Sequence, residues 1–451
     1  MRSFLFFAPL ALVLAPLACE DSTADTPPPS PIPDGGGTDA EVPSTCPPVT
    51  GSGTKHEAGP TADETWTAAA SPHLIETTLS IAAGRTITIE PCAVVRLSGA
   101  GGMIVEGKLV ALGTADKRIV VERAEASASW RSIETRQGAE VRLAYVDIDG
   151  GGKDVPGALD VRGDQETATQ PILFVDHVTV KGSASVGVNL REGGGFASGS
   201  NALTVTGSST FPVSIWGRAA GTLPTGTFTG NGTDEILLPA VGGRDDVRED
   251  ATFANRGVPY RVGATSGNGV LRAGASGSVP LLTIEAGVTM RFAKGARFLI
   301  AATNGVAEGA LSVAGTAASP VVFTSAEATP AAGDWVGLVL EGAADARTKI
   351  THAKISYAGA SSQVSSFGCP SPNAASFAND AAIVIAGAQP PSAFVTNTGI
   401  ADSAGEGIVR GWTGDEIDFL ATNTFSNIAR CNQTFPKPTA GVCPDPAPCP
   451  K

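Results

Sequence analysis

One stretch of this chain is written twice. Residues Ala82 to Val121 return, in altered form, as Pro280 to Phe323. Thr-Ile-Glu recurs at Thr88 and Thr283. A Gly-x-Leu-x-x-x-Gly-Thr-Ala block recurs at Gly107 and Gly309, and a tryptophan opens the next segment in both copies, Trp130 and Trp335. The offset between copies grows along the chain. It is 195 residues from Thr88 to Thr283, 205 from Trp130 to Trp335 and 220 from Phe174 to Phe394. A later pair of blocks, Ser183-Ala184 with Gly187-Val188 and Ser403-Ala404 with Gly407-Ile408, extends the duplication. Growing offsets are what a duplicated fold shows when insertions fall between its structural elements.

Each copy is built from smaller units. Thr86–Ile89, Val94–Leu97, Met103–Val105, Leu109–Leu112 and Ile119–Val121 are short runs of β-branched and aliphatic residues, broken every few positions by Gly, Pro or polar pairs. Strands this short gain a dry interior only by stacking, and the turns between them leave no room for helical crossovers. A chain that turns after every strand and lays each circuit on the last buries one side of every strand in a shared axis. The expectation is therefore an all-β fold, a β-solenoid with internal duplication. No window sustains a capped helical periodicity, which argues against an α-solenoid. Fifty-five glycines and 17% charged residues suit such a turn-dense protein.

The second copy resembles the right-handed parallel β-helix lipoproteins of the pectin-lyase-like superfamily. The matching residues begin with Thr283, Ile284, Glu285, Gly287 and Phe292. They continue through Gly309, Leu311, Gly315 and Thr316 to Pro320, Phe323, Thr324, Trp335 and Gly337. In the first copy Cys92 stands in place of the glycine matched by Gly287, and Ser132 in place of the one matched by Gly337. The resemblance spans roughly residues 71–430. It implies a right-handed parallel β-helix, and it leaves activity open because the superfamily holds both enzymes and proteins of no known chemistry.

The ends read differently. Met1 to Ala18 has Arg2, an apolar run from Phe4 to Leu17, and then Ala18-Cys19, the pattern of an export signal. A small residue before a cysteine marks a bacterial lipoprotein, with acyl chains carried on Cys19. Ordinary cleavage, leaving Cys19 free or disulfide-bonded, is the alternative. Residues 19–60 then form a linker rich in Pro, Gly and acids, with no basic residue between Arg2 and Lys55. Such a composition cannot offset chain-ordering entropy and makes an extended tether. The β-helix is expected over 61–430, as copies of about 72–257 and 258–430, and a Cys/Pro-rich tail over 431–451. No other stretch is long and apolar enough to cross a bilayer. The expected location is outside the cytoplasm, lipid-anchored to the outer membrane or cell surface, with the membrane reached through Cys19. A net charge of −13 argues against nucleic acid as a partner.

Without Cys19, six cysteines remain, an even number in an exported chain. Cys46 and Cys92 lie near the start of the solenoid and are expected to pair. Cys369, Cys431, Cys443 and Cys449 lie in or after its last third, with Cys369–Cys431 and Cys443–Cys449 as the expected bridges. Zinc is the competing use, and no Cys-x-x-Cys pair or nearby histidine supports it, so no metal site is expected from the cysteines.

For chemistry, one constellation stands out. Asp147 and Asp149 alternate on one predicted strand, Asp160 and Arg162 on the next, and Asp176-His177 follow. β-Helix polysaccharide lyases set outward carboxylates on neighbouring coils around calcium, with Arg or Lys as the base. The resemblance thus makes these six residues the catalytic or calcium-binding candidates. Asp176-His177 also resembles the Asp-His of a pectate-lyase motif, with Phe174 in place of that motif's preceding tryptophan. The plainer explanation is solubility, since outward positions must be polar. In the second copy Lys354, Ser356 and Thr396 replace Asp147, Asp149 and Asp176. Exposed Trp216, Trp412, Tyr145, Tyr260 and Tyr357 are candidates for stacking on sugar faces; Trp130 and Trp335 read as structural. The sequence leans toward a non-enzymatic binding or structural surface, for glycans or an envelope partner and without a cofactor. The alternative is a polysaccharide lyase or glycoside hydrolase acting on acidic polysaccharide.

Overall fold

The computed structural model describes residues 45–449 apart from 165–168, 265–268, 304–305, 342–344, 365–367 and 370–378. The signal segment, Cys19 and most of the linker lie outside the described residues.

Alternation decides the strands. In Thr86–Ile89, Ile87 and Ile89 are buried while both threonines stay half-exposed; Val94–Leu97 repeats the pattern. Each buried aliphatic side chain contributes on the order of 2 kcal/mol, so a four-residue strand is held by its rung and not by itself. Successive rungs pair in parallel: Thr86–Ile89 lies beside Lys108–Leu112, which lies beside Glu140–Ala144. In the first copy one circuit visits three faces, as in Thr86–Ile89, then Val94–Leu97, then Gly102–Val105. In the second the same circuit is Leu281–Ile284, Thr289–Phe292 and Arg297–Ile300. A continuous apolar core runs through both copies.

The corner between the first and second faces turns on one residue in the left-handed region. Cys92 sits there with φ 67°, Tyr145 with 50°, His177 with 53°, and in the second copy Gly287, His352 and Asn397 do the same. This is why Cys92 can stand where the second copy has glycine: the position demands a positive φ, and a disulfide holds the cysteine in it. The repeated Ser-Ala blocks also fold alike. Ser183 Oγ donates to Val186 O at 2.8 Å, and Ser403 Oγ to Glu406 O at 2.7 Å.

Two features depart from the sequence reading, and one lies outside it. The body already includes Thr45 onward, since Thr45 N donates to Asp116 O and Thr54–Lys55 pairs with His73–Ile75. The linker expected over 19–60 therefore ends earlier than its composition indicates. Next, the copies do not stack like face on like face. The third-face strand Ile236–Leu238 pairs with Tyr260–Val262, which pairs with Thr289–Phe292, a middle strand of the second copy. The stack advances by one face across a coil in which Gly217–Thr222 forms a 3-10 turn. Finally, a strip on the outside of one sheet is apolar. Leu299, Val339, Val384 and Val409 form a second cluster on consecutive rungs, with Ala360 and Val364 packed against it.

The cysteines pair as Cys46–Cys92, Cys369–Cys443 and Cys431–Cys449. The first bridge matches the expectation; the other two exchange partners relative to it. The cause is the tail, which runs along Glu406–Trp412 through bridges Ile408↔Gln433 and Thr413↔Lys437. Cys369 N donates to Phe435 O, so Cys369 lies beside residue 435. Four extended residues separate that point from Cys431, about 13 Å, beyond the reach of a disulfide.

Candidate functional site

The six candidate residues separate onto two faces. Val146 and Ile148 point inward, as alternation requires, and Asp147 and Asp149 outward on the second face. Arg118 grips Asp147 with two hydrogen bonds, Nε to Oδ2 and Nη2 to Oδ1, both 2.7 Å, and Nη2 also donates to His177 O at 3.0 Å. Arg123 Nη2 donates to Asp149 Oδ1 at 3.1 Å and to Gly182 O at 2.9 Å. At the corner, His177 Nδ1 and Asp176 Oδ1 are 2.6 Å apart, and the imidazole stacks on Tyr145 with ring centres 4.6 Å apart.

Asp160 and Arg162 belong to the third face. Asp160 is only 2% exposed and accepts from Asn189 Nδ2 at 2.7 Å and from Arg191 Nη2 at 2.9 Å. Its hydrogen bond holds the Arg191 guanidinium more firmly protonated than usual, against the cost of burial. Arg162 pairs with Glu192. The single acidic patch expected from the sequence is thus two separate sets of ion pairs, because the intervening turn carries 157–162 onto another sheet. Among the described residues no three His, Cys, Asp or Glu side chains converge in metal-binding geometry.

The aromatic candidates are also redistributed. Trp216, Trp412 and Tyr260 are buried and cannot stack on a sugar. The Tyr260 hydroxyl donates to Ala254 O, and burial pushes its phenol well above the ordinary range. Tyr145 is half-buried against His177, and Tyr357 is likewise half-buried. Trp130 and Trp335 are structural, as expected: each is fully buried, with Nε1 donating to the backbone carbonyl of Asp149 or Ser356.

What the sequence did not show is a pair of open polar clefts. One, of about 490 Å³, is lined by Arg96, Glu122, Arg123, Ala124, Ala126 and Asp149. Arg96 and Glu122 are register partners on adjacent rungs, joined at 2.8 Å, and Asp149 stands one rung further. The other, of about 590 Å³, contains Arg136, Gln137, Arg162, Asp164 and Glu192, with Gln137 Nε2 donating to Asp164 Oδ2 at 2.9 Å. Residues 26 or more positions apart meet here only because of rung register, and no local motif announces that. Both clefts offer guanidinium donors and carboxylate acceptors at the rung spacing of about 4.8 Å.

Comparison with known families bears on the same scaffold. Residues 264–368 match the family described as a pectate-lyase like beta helix domain. The body is a right-handed parallel β-helix of the pectin-lyase-like type. The match lies in the second copy, which retains the glycines that Cys92 and Ser132 replace in the first. Neither the curated proteins nor the solved structures give a match to the chain. The pectin-lyase-like fold positions the clefts, and their residues come from the first copy.

Proposed function

We propose that this chain is an exported lipoprotein, anchored through Cys19, that displays its β-helix as a binding surface for glycans of the cell envelope. The observation that supports this reading is the charge pairing of the clefts. Every carboxylate lining the smaller one is neutralised by an arginine of its own or an adjacent rung. Such a surface presents donors and acceptors together without a net field, which suits a polyhydroxylated chain lying along the rungs. The even set of disulfides is consistent with an oxidising location. A neighbouring envelope protein could use the same surface chemistry, and a glycan panel separates the two partners.

A second reading, a lyase or hydrolase, draws on the Asp176–His177 pair with Arg118 close by, which places acid–base groups at one corner. Binding of the purified protein to a panel of envelope polysaccharides tests the first reading. Arg96→Ala combined with Arg123→Ala is expected to weaken retention about 10–100-fold, as loss of charged hydrogen bonds of about 1.5–3 kcal/mol implies. Undiminished binding by the double variant would remove the clefts from the interaction.

A further inference from the structure

We infer that the Cys46–Cys92 bond is a mechanical latch that keeps tension in the N-terminal tether from reaching the cap of the solenoid. The inference rests on the tethered reading of the N-terminus given above. The chain does not enter the fold at its end. Thr45 is fixed to the flank, its N–H and hydroxyl donating to Asp116 O at 2.8 and 3.1 Å. Cys46 is then bonded to Cys92 on the neighbouring rung. Only after that does the chain run to the end of the helix and cover it.

That cover is lightly held. Thr54–Lys55 contributes two residues of pairing with His73–Ile75. His56 stacks on Trp66 with ring centres 4.2 Å apart and shares a hydrogen bond of 3.0 Å with His73. Gly59 passes Ser80 O so closely that a Cβ would lie 1.8 Å from it. A two-residue edge strand pulled from its free end breaks its hydrogen bonds one at a time. Cys92 is placed differently. It lies between Thr86–Ile89 and Val94–Leu97, and each of these strands is paired on both sides. Tension entering through Cys46 passes directly to this two-sided rung. Residues 47–91 lie inside a covalently closed loop and cannot be extended by a pull between the chain's ends.

The test is optical-trap extension of the full chain, held at its Cys19 end and its C-terminus, under oxidising conditions. The variant is Cys46→Ser with Cys92→Gly; glycine suits this corner because Gly287 occupies the equivalent position with φ 77°. The variant is expected to extend by up to about 150 Å more than the wild type, the extended length of the 45 residues from 47 to 91, and to begin that extension at Thr54–Lys55 at lower force than any step of the wild type. Its later steps should match the wild type, which shows that the rest of the body is folded. A variant whose first step equals that of the wild type in force and length would overturn the latch. The tether is read separately in the same traces. Compliant extension of residues 20–44 before the first step supports it, and a stiff onset contradicts the tether while leaving the latch result intact.

Discussion

Replacing Trp335 with alanine is expected to destabilise the protein by about 4 kcal/mol, within the range for deleting a large buried aromatic side chain. Trp335 is fully buried and stacks on Phe292 with ring centres 4.1 Å apart and planes 9° from parallel. Its indole N–H satisfies Ser356 O, which links the strand it opens to the preceding face. Alanine removes the packing, leaves a cavity and loses that hydrogen bond. Phenylalanine keeps most of the volume and loses the hydrogen bond, so Trp335→Phe should cost less, about 1–3 kcal/mol. Urea unfolding of the two variants separates the terms. A change below about 1 kcal/mol for alanine would mean that the rung is held by its neighbours and not by this side chain.

Asp245→Asn should act in the opposite direction and stabilise the protein at pH 8 by up to about 3 kcal/mol. Asp245 sits in the coil where the stack advances by one face; it has no solvent exposure, and neither carboxylate oxygen makes a hydrogen bond. Burial pushes its carboxyl up to about 6. Nearby N–H groups of Gly217, Ala240 and Val241 oppose the shift without closing to hydrogen-bond geometry, and the Asp246 carboxylate adds to it. The charged groups around it also include Arg218, whose guanidinium is itself easier to deprotonate because of burial and Arg248. A raised folded-state value means that the ionised form opposes folding. The contribution of Asp245 to stability is then greatest below about pH 4 and is lost as pH rises through about 6. The asparagine variant removes that slope, so the two proteins should converge in acid and separate above pH 6. Denaturant titrations at pH 4 and pH 8 measure it. Destabilisation by asparagine at pH 8 would show that the ionised carboxylate supports the junction.

The repeat made the architecture legible because rung packing depends on short-range alternation, and alternation is written residue by residue in Thr86–Ile89 and Leu281–Ile284. The growing offset also has a structural home. The hairpin of Ala302–Thr303 with Val306–Ala307 and the long connection from Tyr357 to Asp380 both fall between strands. Register between distant rungs was not legible. The turn lengths around Asp149 and Gly157 decide whether Asp147 and Asp160 share a face, and they do not. The same limit hid the cleft formed by Arg96, Glu122 and Asp149. For the cysteines, the sequence reading paired Cys443 with Cys449, whereas the tail's pairing with Glu406–Trp412 carries Cys443 to Cys369. Buried charge at the junction was invisible for a related reason: Gly242-Gly243-Arg244-Asp245 reads as a polar loop until the coil closes over it.

Incubating the purified protein with uronate-containing and neutral polysaccharides, with calcium present, tests the binding surface most directly. Binding measured beside product analysis should show retention of at least one polysaccharide with its chain length unchanged. Release of unsaturated or shortened products, lost on replacing Asp176 or His177, would contradict a binding role and establish the corner of Arg118, Asp176 and His177 as a catalytic centre.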